Sequence, residues 1–224
     1  MVEITSFGGS CLRFKGREGV VAANAYTSVV GPTGRGLTAD IVTYSHPDKQ
    51  AALGLDGRQG HQRGEGIKIP TSLSSAFLID GPGEYEVHGV LISGVRTYRD
   101  ESRGSQRGAN TCFVYELDGL RAVHLGDLAH TLNEEALGEI GAVQLVCVPL
   151  GGTLTASRAA EVVAQLEAHL IVPYAANGSY EPELDRFRHE MGVQPGEPVA
   201  RLSVTISSVP HETTVVELEQ RGRA

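Results

Sequence analysis

Two short apolar runs flanking one helical stretch constrain the fold of this chain more than any other feature. The run at 143–148 ("VQLVCV") has the composition of a strand buried on both faces. It is followed by residues 155–168, in which Ala159, Val162, Val163 and Leu166 recur on one helical face. Leu170 to Pro173 is again a short apolar run, and a further helical stretch covers 183–191. Strand, helix, strand in this order calls for parallel strands covered by helices.

The first half is written differently. Short strands are expected at 2–5, 11–14, 19–23 and 41–44, then at 76–79, 85–87 and 90–95. Gly81-Pro82-Gly83 and His88-Gly89 supply turn chemistry, and Asp118-Gly119 marks a hairpin inside "YELDGLRAV". Thr131-Leu132-Asn133-Glu134 has capping-box spacing and predicts a helix from there to about Ile140. The tail returns to strands at 202–206 and 214–218. Residues 54–66 ("GLDGRQGHQRGEG") and 99–109 read as polar loops. A large mixed sheet, or paired sheets with helices outside, accounts for this mixture, in one domain over 1–224.

The formal net charge of −8 opposes nucleic-acid and membrane-surface partners, since neither polyanion attracts such a chain. With no signal core and no membrane-length apolar run, a cytoplasmic location is expected. The three cysteines, Cys11, Cys112 and Cys147, lack metal or disulfide spacing and are expected to be buried free thiols. Ser10 and Cys11 have no base in pattern, so nucleophilic catalysis is not indicated. The glycines of "FGGS" and "PLGG" lack phosphate-loop and dinucleotide signatures.

Chemistry in layered folds gathers at strand ends. Four exits carry suitable residues: Ser45-His46-Pro47-Asp48, Thr97-Tyr98-Arg99-Asp100, His124-Leu125-Gly126-Asp127, and the segment after Val172-Pro173-Tyr174. The third is the strongest, because a glycine before Asp127 permits a sharp turn that aims the carboxylate back over the sheet edge. His130 lies three residues further on.

Several strings resemble the metallo-β-lactamase fold, in its lactonase-like metal-dependent hydrolase branch. They are "ITSFGGSCLRF", "ADIVTYSH", "IDGPGEYEVHGVLISGVRTYRD", "HLGDLAH" and "VQLVCVPLGG…TASRAAEVVAQLEAHLIVPY". The resemblance spans nearly the whole chain and implies a four-layer αβ/βα sandwich, an α/β (α+β) architecture with a metal site at one edge of the paired sheets. It also implies which positions would hold metal, and there the chain departs. Gly9 stands where the branch's Gly-His-Ser-Cys turn has histidine. In the main motif His46 keeps its place, but Asp48 replaces the second histidine, Gln50 the aspartate and Ala51 the last histidine. Arg99 and Ala175 occupy two further histidine positions, and Asn24-Ala25 an Asp-Pro pair. Asp127 remains as the expected bridging carboxylate.

A dinuclear hydrolytic centre clamps an attacking water between two metals, and a catalytic zinc needs three protein ligands and an open position. The residual donors, His46, Asp48 and Asp127, do not fill two such sites. The leading expectation is a hydrolase homologue with most of its dinuclear site lost, non-catalytic or weakly active, needing no cofactor, and prone to self-association. Two alternatives stand beside it. One is a mononuclear hydrolase of a small ester, lactone or phosphorylated substrate, holding zinc or another divalent metal on His46, Asp48, Asp127 and His130. The other is a metal-free binder of a small anion at Arg99 or Arg96.

Overall fold

The computed structural model describes residues 1–46, 67–176 and 180–221. The loop expected at 54–66 and the motif residues Asp48, Gln50 and Ala51 lie outside these.

One sheet contains β1 (Val2–Gly8), β2 (Cys11–Lys15), β3 (Val20–Ala23), β4 (Ile41–Thr43), β5 (Phe77–Ile79) and β12 (Leu202–Val204), in the order β12-β1-β2-β3-β4-β5. The other contains β6 (Gly83–Val87), β7 (Val90–Tyr98), β8 (Ala109–Leu117), β9 (Leu120–His124), β10 (Leu145–Leu150), β11 (Leu170–Ala175) and β13 (Thr214–Val215), in the order β13-β11-β10-β9-β8-β7-β6. Each sheet changes from antiparallel to parallel pairing part-way across, at β3–β4 and at β9–β10.

The strand at 143–148 was expected to be buried on both faces, and β10 is. Leu145 and Cys147 join the core between the sheets with Ile4, Phe14 and Tyr115, whereas Val146 and Val148 face the helices. Those helices are α2 (Glu134–Ile140), α3 (Ala156–Gln165) and α4 (Tyr180–Met191), which bury Ile140, Val162, Val163, Leu184 and Phe187 against the second sheet. The far face of the first sheet is covered more thinly. There α1 (Thr27–Val30) and two 3₁₀ turns at 34–36 and 71–73 pack over Phe7, Val42 and Tyr44. The arrangement is the expected α/β sandwich of two mixed sheets flanked by helices.

Local differences from the sequence reading have physical causes. The cap of α2 is Asn133, whose side chain accepts from Ala136 N at 3.0 Å, not Thr131; the carbonyl of Thr131 is instead engaged by His130. Helix α3 opens on its Thr155 cap but stops at Gln165, because Glu167 turns left-handed (φ 51°). Helix α1 has four residues, too few to show a helical period. All three cysteines are free and buried. No described helix is long and apolar enough to cross a membrane.

Candidate functional site

The ends of β3, β4, β9 and β11 meet at one edge of the two sheets, and the turn at Gly126 is where they touch. Gly126 has φ 67°, and a Cβ there would lie 2.4 Å from Asn110 Oδ1 and 2.5 Å from Ser45 Cβ. Its backbone is fully engaged: the N–H donates to His124 Nδ1 at 3.2 Å, and the carbonyl accepts from the Tyr174 hydroxyl. Buried Asn110 binds the turn on both sides. Its Oδ1 accepts from Asp127 N at 2.8 Å, while Nδ2 donates to Leu125 O at 2.9 Å and Thr97 Oγ1 at 2.7 Å. These bonds aim the carboxylate of Asp127 out of the sheet edge.

That carboxylate meets arginine. Arg99 Nε donates to Asp127 Oδ2 at 2.8 Å, and the side chains are only 11% and 14% exposed. Arg107 approaches the same oxygen at 3.7 Å and donates to Thr153 Oγ1. Arg99 Nη1 donates to the carbonyl of Arg107 at 3.1 Å, tying the two arginines together. Both are set by Asp100 between them. Its carboxylate accepts from Ser102 N (2.8 Å), Gly104 N (2.9 Å), Gln106 N (3.1 Å) and Arg107 N (2.7 Å), gathering the loop into a tight cup. Burial of Asp100 works to raise its pKa, but the four backbone donors outweigh it and hold the carboxyl below its usual range.

Across the edge, His46 leaves β4 beside Tyr26 and Ser45. Its Nδ1 lies 3.1 Å from Tyr26 Oη and 2.9 Å from Ser45 Oγ, and the Tyr26 hydroxyl donates to His46 O at 2.6 Å. Burial pushes the Tyr26 hydroxyl well above its ordinary pKa. Hydrogen bonds to Ser45 and His46 and the charge of Arg99 oppose this, and Asp127 adds to it, so this pocket senses the ion pair. Asn24, at φ 52°, accepts from Ser45 N at 2.9 Å and fixes the end of β4.

Gly9, at the first turn, and Ala175, on β11, are also neighbours. A Cβ on Gly9 would lie 3.3 Å from Val29 Cγ1 and 3.8 Å from Ala175 O. Val29, on α1, therefore fills the space beside Gly9.

His124 and His130 are committed elsewhere. His124 Nε2 donates to Ser10 O at 3.0 Å and its Nδ1 accepts from Gly126 N, while its ring stacks on Tyr174 with centroids 4.6 Å apart. Burial lowers its pKa to about 4. His130 donates from Nδ1 to Thr131 O at 2.7 Å and accepts Tyr98 N–H on Nε2 at 3.1 Å. With both nitrogens occupied, it has no lone pair to offer a metal, against the expectation that it could serve as a new ligand.

A divalent metal does not fit the donors described here. Asp127 Oδ2 is taken by Arg99, Gly9 and Ala175 offer no donor side chain, and both nitrogens of His130 are engaged. Among the described residues no group of three His, Cys, Asp or Glu side chains converges. Asp127, Arg99 and His46 gather at one sheet edge, as their strand ends implied. Arg107, Asn110, Tyr26 and Asp100 were not singled out for these roles. The polar start of β8 ("ANTC") and the i, i+4, i+8 arginines of 99–107 were the available signals.

Comparison with known proteins places this architecture. A family model described as a beta-lactamase superfamily domain matches residues 3–175. A metal-dependent hydrolase of Thermococcus onnurineus is 35% identical over 99 residues, covering 42% of this chain and 44% of that protein, so the chain spans less than half of that relative's length. One from Korarchaeum cryptofilum is 26% identical over 185 residues, or 77% and 78% of the two chains. A crystal structure from Thermotoga maritima, assigned as a Zn-dependent hydrolase of the metallo-beta-lactamase superfamily, is 28% identical with a TM-score of 0.70, over 97% of this chain and 98% of that one. The chain belongs to the beta-lactamase superfamily.

Proposed function

We propose that this chain is a hydrolase homologue in which the Arg99 guanidinium takes the place of metal against Asp127, and that it does not carry out metal-dependent hydrolysis. The relatives named as metal-dependent hydrolases argue for a scaffold built for that chemistry. The observation that carries the reading is the 2.8 Å bond from Arg99 Nε to Asp127 Oδ2 in a largely buried pair. A guanidinium supplies positive charge but has no vacant orbital with which to acidify a bound water. It can neutralise the carboxylate without activating a nucleophile. With Arg107 the cluster is balanced in charge, two guanidiniums against the carboxylates of Asp127 and the amide-held Asp100.

Elemental analysis of the full chain, expressed with zinc, manganese and iron available and without chelators, tests this. The expected result is a metal content near zero in folded protein, and no ester, lactone or phosphoester hydrolysis on adding metal. One metal ion per chain, lost on Asp127→Ala, together with metal-restored hydrolysis, would overturn it and favour a mononuclear site.

A further inference from the structure

Loop 99–108 has a second side, independent of the Arg99–Asp127 pair. Between this loop, the end of β7 and the first turns of α2 and α3 lies a cavity of about 430 Å³, within the size range of small-molecule sites. Its inner surface includes half-buried Tyr98 and His130, whose rings lie 6.0 Å apart, and buried Ala136. Arg96, Arg103 and Arg158 line it as well. The guanidiniums of Arg96 and Arg103 have no ion-pair or hydrogen-bond partner among the described residues.

Three features bear on what this cavity would hold. First, Arg103 sits at φ 55°, a left-handed conformation that a non-glycine residue rarely adopts, so its position is imposed by the Asp100 cup. Second, the carboxylates at the cavity are largely committed or exposed. Asp100 is saturated by four backbone amides, Glu101 is paired with Arg158, and Glu161 lines the cavity from the exposed face of α3. Third, Glu101 on Arg158 is an exposed pair (61% and 42%), of the kind that exchanges readily for a better oxyanion. His130, with Nε2 accepting the Tyr98 N–H, presents a flat ring face beside Tyr98.

We infer that this cavity binds a small phosphorylated molecule: its phosphate on Arg96 and Arg103, with Arg158 recruited from Glu101, and a flat organic group against Tyr98 and His130. Guanidinium forks match phosphate oxygens in geometry and charge. The arginines it rests on, Arg96, Arg103 and Arg158, take no part in the Arg99–Asp127 pair, so either reading can fail alone.

Calorimetric titration of the full chain with phenyl phosphate, at constant ionic strength, tests it. Saturable binding is expected, tighter than that of inorganic phosphate. The exposed double variant Arg96→Gln/Arg103→Gln should weaken it about tenfold or more, whereas Lys15→Gln, at the exposed end of β2, should leave it unchanged. Absence of saturation, equal binding by the double variant, or equal weakening by Lys15→Gln would each overturn the assignment. Circular dichroism of each variant separates lost binding from lost fold.

Discussion

Asn110 holds Asp127 by the backbone, not by the carboxylate: its Oδ1 takes the Asp127 N–H at 2.8 Å while its Nδ2 ties down Leu125 O and Thr97 Oγ1. One buried amide thus sets the direction in which the site's acid leaves the sheet. Asn110→Ala strands a buried N–H and a buried carbonyl. Chemical denaturation should show a loss of about 2–4 kcal/mol. A loss within error of zero would mean that the turn is self-supporting.

Gly126 is the companion constraint. Its left-handed φ of 67° and the contacts awaiting a Cβ, at 2.4 Å to Asn110 and 2.5 Å to Ser45, combine strain with overlap. Gly126→Ala should cost roughly 2–4 kcal/mol in the same assay, with a lower melting temperature as its calorimetric counterpart.

The Arg99–Asp127 pair should couple strongly. Truncating one partner leaves the other's charge in a setting only 11–14% exposed, a costlier state than losing both. A double-mutant cycle of Arg99→Ala and Asp127→Ala should give an interaction energy of about 1–3 kcal/mol. Additive single effects would show that the bond contributes little.

His124 makes stability depend on pH. Burial lowers its pKa to about 4 in the folded chain, from an unfolded value of about 6.5, so between these pH values the unfolded chain binds the extra proton. The contribution is complete above about pH 6.5, is lost as pH falls, and is exhausted below about pH 4. At about 1.4 kcal/mol per pH unit it amounts to roughly 3 kcal/mol. His124→Gln, which keeps a donor for Ser10 O, should flatten the stability profile over this window; an unchanged slope would assign the dependence to other groups.

Asp100 acts locally. Because its carboxyl lies below its usual pKa, the order it gives the loop is present at neutral pH and is lost as pH falls through the folded value. Asp100→Ala should speed amide exchange at Gly104, Gln106 and Arg107 by about tenfold or more, leaving β9 protected. Uniform acceleration in both places would indicate global unfolding instead.

The framework was legible because it is written in short-range terms. The apolar run of β10 and the Asp118-Gly119 turn each declare an element without knowledge of the rest. Helix α1 and the Asn133 cap were missed because a four-residue helix has no period and two capping signals overlapped within three residues. The site was legible in part: Asp127 and Arg99 stand at strand exits and carry opposite charge. Arg107 reaches Asp127 only because Asp100 folds the intervening loop, and Tyr26 meets His46 only across the sheet edge. Such contacts depend on three-dimensional closure, which one-dimensional spacing does not record.

Val29 against Gly9 has an evolutionary consequence. Histidine at position 9 would have to displace that valine from a left-handed turn, while Arg99 and Ala175 would each need separate replacement before any metal gained a full donor set. On the proposed reading, each single replacement disturbs packing or orphans a charge without completing a donor set, so the change would behave as a ratchet. Directed evolution toward a metal site on this scaffold would have to alter positions 9, 29, 99 and 175 together, besides 48, 50 and 51.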